Sequence, residues 1–404
     1  MVGLVVGCDS TSPSFYLDMV NVRKNEDPEV PFSKTQLTNL AEVLTALFGT
    51  PDEPHVFADA NLGMHDLVEE RNLKLAAGPV GSDEMGRSRG LYRQHCAHCH
   101  GITGDGAGPT AAYLNPYPRN YRMGIFKFKS TPKGEKPTDD DLERILRNGI
   151  PGTAMPSFSL LADDEIKALV QYVKYLAIRG EVERNLVYVM GDELDEGQLL
   201  LDPDDSSDGV GMVQDAMSMV LSRWQRAESR MTLPSPRPDV ADPQTASTDE
   251  MRASIVRGHQ LFQGVIANCF SCHGKTALGD GQLDLYDDWT DELEPKDPAK
   301  YADLASLQDR PQPIRNIRPR NLRRGVYRGG RRPIDLYWRL RNGIDGSKMP
   351  AVPVRKPNDP PEVKGLMESE VWDLINYVKS LPHDAISRVE YDVHQTGMQL
   401  EKPR

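Results

Sequence analysis

Cysteine is scarce in this chain, with five in 404 residues, too few for a disulfide scaffold of this length. No apolar run approaches the roughly 18 residues that a membrane-spanning helix needs. Aromatic residues make up only 7% and the hydrophobic classes 38%, while glycine and proline number 33 and 31, which describes a polar, loop-rich protein. Basic residues are outnumbered, 48 Lys and Arg against 60 Asp and Glu. The net charge of -12 argues against nonspecific nucleic-acid binding. No spacing of Ser, His and Asp suggests a hydrolytic triad.

Four of the five cysteines fall in one pattern that occurs twice, Cys96-Ala97-His98-Cys99-His100 and Cys269-Phe270-Ser271-Cys272-His273. This is the C-x-x-C-H signature of covalent c-type haem attachment. Two thiols three positions apart reach the two vinyl groups on one porphyrin edge, and the adjoining His is held under the iron. Each copy is followed at once by glycine, Gly101 and Gly274. A four-thiol zinc site built from the two pairs would leave His100 and His273 without a role.

A second repeat lies downstream of each motif. Asp141 to Pro156 reads DLERILRNGIPGTAMP and Asp335 to Pro350 reads DLYWRLRNGIDGSKMP, which align without a gap. Each ends in a Gly-x-x-Met-Pro loop, so Met155 and Met349 are the expected sixth iron ligands. A methionine more often fills a core gap, but the repeated position favours ligation, and a thioether opposite an imidazole raises the potential. Met123 and Met367 are reserve candidates that do not recur between copies. Pro-Arg-Asn also recurs, and Arg119 and Arg320 are expected to pair with a haem propionate, because a guanidinium fork matches a carboxylate. Nine arginines crowd positions 310 to 332 and suggest a docking face or a clamp on an acidic segment; the bland alternative is a solvated charge run.

In chain order, Ser33 and Gln36 form a capping-box pattern ahead of Leu37, Leu40, Leu44 and Leu47 at helical spacing, with Gly49 at the stop. Residues 1–80 read as a loop and helix extension. A first haem domain is expected over 81–180, with Leu91 and Tyr92 on the helix that delivers Cys96, a capped helix from Thr138, and an amphipathic helix through Ile166, Leu169, Val173 and Leu176. An acidic and Pro-rich linker is expected over 181–246, including a helix between Met212 and Arg230. The second haem domain is expected over 247–381, followed by a tail, 382–404. Pro118 lies 18 positions after His100 whereas the matching Pro319 lies 46 after His273, so the second copy carries an acidic insertion.

Cys8 closes Leu4-Val5-Val6-Gly7-Cys8, which resembles a bacterial lipobox, although the apolar part is short and no positive segment precedes it. A lipid on Cys8 would anchor the chain to a membrane surface. Since haem attachment of this type needs export, the periplasmic side of a bacterial membrane is the expected location.

The succession of helix, C-x-x-C-H-G, glycine loop, short helix, Met-Pro loop and closing amphipathic helix resembles class I c-type cytochromes over 81–180 and 247–381. The resemblance implies an all-α fold with two small domains in tandem, each around one covalent haem c. Cys96 and Cys99 would bond the first haem, with His100 and Met155 axial. Cys269 and Cys272 would bond the second, with His273 and Met349. It also implies that a proline carbonyl after the glycine loop, here that of Pro109, accepts the Nδ1–H of His100. Gln282 stands at the matching place in the second copy, so His273 is expected to lack that support. The expected function is electron transfer to redox proteins or within a membrane respiratory complex, without catalysis. The alternative is a dihaem peroxidase-type enzyme with a displaceable axial ligand.

Overall fold

The computed structural model describes residues 12–59, 61–82, 84–204, 207–235, 249–360, 362–383 and 387. Cys8 and most of the tail lie outside the described residues. The fold is all-α; the described strands are a single two-stranded ribbon, Gly81–Ser82 against Ser88–Arg89. The chain divides into two compact units. Unit 1 runs through Met231 and takes in Tyr286–Arg315 and Asp345–Ser347. Unit 2 comprises Thr232–Leu285, Asn316–Ile344 and the chain from Lys348.

Unit 1 is built on the 31-residue helix Asp163–Glu193. Its first half carries the expected stripe, with Ile166, Leu169 and Leu176 buried. The helix does not stop at Gly180, where the sequence suggested a domain end. Glycine inside a helix usually weakens it, but here the backbone of Arg122 passes so close that a Cβ on Gly180 would overlap it. The glycine is a packing contact and not a terminator. The second half of the helix buries Val182, Leu186, Val187 and Met190, and the Ser207–Gln225 helix packs against it through Val213, Met217, Val220 and Trp224. The supposed linker is therefore part of the unit 1 core up to Gln225.

The supposed extension is core as well. Helix Lys34–Phe48 begins at a complete capping box on Ser33 and ends at Gly49, as expected. Leu40, Leu44, Phe48, Met64 and Leu73 are fully buried in the same cluster as the long helix. The Tyr172 hydroxyl donates to the Pro51 carbonyl at 3.3 Å, and that of Tyr175 to the Phe48 carbonyl. Two buried ion pairs brace the second half of the long helix, Arg179–Glu183 at 2.7 Å and Lys136–Glu181. Glu181 also accepts from the Trp224 indole N–H at 3.0 Å.

Unit 2 is smaller and simpler. Helix Asp249–Gln263 crosses helix Glu368–Ser380 so closely at Gly258 that a Cβ there would overlap the Asp373 carbonyl. Asp373 ties the crossing: it accepts from Ser254 Oγ at 2.6 Å and from Arg257 at 2.7 and 2.9 Å. Phe262, Tyr337, Trp372, Leu374 and Ile375 fill the core, with the Tyr337 and Trp372 rings stacked 4.9 Å apart.

Candidate functional site

In each unit the C-x-x-C-H segment forms one turn of helix, Ala97–His100 and Cys269–His273, ended by a glycine at positive φ, Gly101 or Gly274. The glycine loop then folds back over the turn. Gly106 N donates to the His100 carbonyl at 2.9 Å and Gly108 N to that of Cys99 at 3.0 Å. Gly279 and Gly281 repeat both bonds on His273 and Cys272, at 2.8 and 3.1 Å. A Cβ at Gly108 or Gly281 would strike the backbone of the turn. The loop's glycines are there because backbone lies on backbone.

The two histidines are held alike. His100 Nδ1 lies 3.0 Å from the carbonyl of Arg119, and His273 Nδ1 lies 3.1 Å from that of Arg320. A carbonyl can only accept, so Nδ1 carries the proton and Nε2 keeps its lone pair for a metal. This corrects two expectations. The carbonyl that fixes His100 belongs to Arg119 and not to Pro109, and His273 has the same support although Gln282 replaces the proline. The Pro-Arg-Asn repeat thus serves first through its backbone. Its asparagines, which sequence reading passed over, cap the next turn: Asn120 accepts from Arg122 N and Asn321 from Arg323 N, both at 3.0 Å.

The surroundings differ. His100 is 8% exposed and stacks on Tyr121 with centroids 4.7 Å apart and planes 16° from parallel. Burial pulls its pKa down to about 4, so the imidazole is neutral at physiological pH. At the place of Tyr121 unit 2 has Leu322, and His273 is only partly buried. Burial lowers its pKa too. Burial also pushes the thiols of Cys96 and Cys269 up to about 12. Among the described residues no three His, Cys, Asp or Glu side chains gather as a metal cluster. The two cysteine pairs belong to different units.

The methionine loops repeat each other. Ile150 N donates to the Met155 carbonyl at 3.1 Å and Ile344 N to that of Met349 at 3.0 Å, and both side chains pack partly buried against their unit's core. Of the reserve candidates, Met123 ends a short turn, Tyr121–Met123, and Met367 is the N-cap of the Glu368–Ser380 helix. The aspartate at the head of each repeat is a cap: Asp141 accepts from Ser130 N at 2.8 Å and from Thr138 N at 3.2 Å, and Asp335 from Arg332 N at 3.0 Å.

The arginine guanidinium groups test whether the sites fit a haem. The guanidinium carbon of Arg119 lies over the Trp289 ring, 3.5 Å from its centroid, and burial pulls its pKa down to about 10. The Nε of Arg320 is buried without a partner. Arg328 beside it is pulled down to about 10 by burial and by the charge of Arg320. A partly buried cation favours an anion beside it, and the carboxylate of a haem propionate is one that the places of Arg119 and Arg320 would fit. The rest of the arginine stretch divides between the two units. Arg315 binds the Leu114 and Ala112 carbonyls in unit 1, while in unit 2 Arg323 binds the Thr276 carbonyl and Arg332 pairs with Asp335. Arg324 and Arg331 line a cleft of about 220 Å³ with Lys379 and His383.

Comparison with known proteins agrees with this geometry. Residues 83–173 match the family of cytochrome c oxidase, cbb3-type, subunit III, and residues 255–382 match the cytochrome c family. None of the curated proteins matches the chain. Among solved structures, a chain of the reducing HAO-like protein complex of Kuenenia stuttgartiensis is 24% identical over 75% of this chain and 98% of its own, with a TM-score of 0.43. That likeness is too loose to bear on activity. With both matched segments containing a C-x-x-C-H turn and a carbonyl-held histidine, the chain is a c-type cytochrome with two cytochrome c domains in tandem.

Proposed function

We propose that the chain transfers electrons through two covalently attached haems, one on Cys96 and Cys99, the other on Cys269 and Cys272, with His100/Met155 and His273/Met349 as axial pairs. The observation that carries this is the duplicate support of both axial residues. Each histidine is fixed at Nδ1 by an arginine carbonyl, and each methionine loop is closed by the same isoleucine-to-methionine backbone bond. The haem supplies the one-electron chemistry when bound. The chain's own residues orient the imidazoles, bury the sites and place cations where propionates would lie. Two saturated irons suit a carrier or a subunit of a respiratory assembly better than an enzyme that must open one position.

An optical spectrum of the oxidised and reduced protein, with Met155→Ala and Met349→Ala alongside, tests this reading. Each variant is expected to lose part of the sulfur-to-iron charge-transfer band. A haem already high-spin in the wild type, with peroxide turnover, would replace it with the peroxidase reading. We also place the protein on the exported side of a bacterial membrane, anchored through Cys8. Cys8→Ser is then expected to move the protein from the membrane fraction to the soluble one, and unchanged retention would defeat the anchor.

A further inference from the structure

The segment Tyr286–Arg315 comes from within the second cytochrome c domain in sequence but belongs to unit 1. Its one tryptophan, Trp289, sits over Arg119, whose carbonyl holds the axial His100. Lys127 approaches the same ring, with Nζ 5.2 Å from the centroid. The far edge of the indole lies against Gly346, where there is no room for a Cβ. Two donors in this cluster are unspent. Trp289 Nε1 is buried without a hydrogen-bond partner. The Arg119 guanidinium makes no hydrogen bond or ion pair among the described residues, although Asp287, Asp288 and Asp345 act on it from a distance. A buried N–H beside a stacked guanidinium is an arrangement that an anion completes. Unit 2 has the arginine at the matching position, Arg320, and Arg328 where unit 1 has Lys127.

We propose that Trp289, with Arg119, binds a propionate carboxylate of the first haem, so that the insertion of the second domain is a haem-binding element of the first. The indole N–H and the guanidinium would donate to the carboxylate oxygens, and Lys127 would add charge from the side. Trp289 is then a positioning residue that sets the potential of one haem and not the other. The proposal rests on the covalent haem reading above.

The test is an optical redox titration at several pH values on the full holoprotein, with covalent haem counted in parallel by pyridine haemochrome. Trp289→Phe keeps the stacking ring and removes only the N–H; Trp289→Ala removes both. Loss of the donor leaves the carboxylate more negative, which favours ferric iron. The expected result for Trp289→Phe is a lower midpoint potential at the first haem alone, by up to about tenfold in its redox equilibrium constant, or 59 mV for one electron. The pH at which that potential bends should also move up. Met155→Ala identifies which wave is the first haem. Two bound haems with both waves and the pH profile unmoved would overturn the propionate role, as would equal shifts of both haems. Fewer than two covalent haems in the wild type would overturn the cofactor reading beneath it.

Discussion

The two cytochrome c domains share a site and differ in what surrounds it. The C-x-x-C-H turn, the glycine loop, the arginine carbonyl and the methionine loop are near copies. Unit 2 covers its closing helix with one 15-residue helix, Asp249–Gln263. In unit 1 the helix before Cys96 is only Leu91–His95, and the cover comes instead from residues before 80, with Glu70–Ala76 against the long helix. The site is set by local backbone bonds that a short motif encodes. The cover needs only apolar area of the right shape, so different chain segments can provide it.

The difference can be sharpened by substitution. The largest effect is expected at the buried pair of unit 1. Lys136→Met removes the buried cation closest to Glu181, already pushed up by burial, and leaves it the Trp224 N–H and the more distant Arg223, which should cost about 3–5 kcal/mol in chemical denaturation. Arg257 in unit 2 is 55% exposed, and Arg257→Met should cost about 1 kcal/mol or less, since Asp373 keeps Ser254. Equal costs would mean that the two units do not differ in how burial loads their ion pairs.

Next come the close-approach glycines. Gly180→Ala and Gly258→Ala each push a Cβ into backbone and should destabilise by about 1–3 kcal/mol. Differential hydrogen exchange should locate the first loss in unit 1 and the second in unit 2. A smaller effect is expected on the haems. Tyr121→Leu puts beside His100 the residue type that unit 2 carries at the matching position, exposes the site and should lower the first potential, by less than about tenfold in equilibrium constant. Leu322→Tyr should move the second potential upward. Unmoved waves in a redox titration would show that this stacking ring does not tune the iron.

The smallest is a pH effect confined to unit 1. Burial raises the pKa of Asp18, but Arg122 and Arg184 outweigh it and hold the carboxyl below its usual 3.8. A depressed folded-state pKa contributes stability that is complete above the unfolded value and is lost as pH falls through the folded one. Acid unfolding of wild type and Asp18→Asn should therefore converge below about pH 4. Curves that stay parallel there would remove Asp18 from the account.

The two C-x-x-C-H turns and the all-α class were legible in sequence because they rest on short-range rules. Ser33 builds the capping box that its spacing predicts, Thr138 caps its helix as expected, and the stripe from Ile166 to Leu176 is buried as its period requires. The errors came where a residue type has two uses. Gly180 looked like a stop and is a close contact. The family resemblance implied Pro109 as the support of His100, whereas the carbonyl that reaches Nδ1 is 19 residues after His100, on Arg119. Residues 181–225 looked like a linker because their acidic side chains are conspicuous, while the apolar face of the helix was the part that decided their place.

By itself the sequence determined that there are two C-x-x-C-H turns, two methionine loops and two repeats of one domain, since each is a matter of residue type at fixed spacing. Only the tertiary structure decided which carbonyl holds each histidine, which segments cover each core and that Trp289 lies on Arg119. Those depend on contacts between residues far apart in the chain, whose partners are chosen by shape, burial and charge, and no local spacing records that choice.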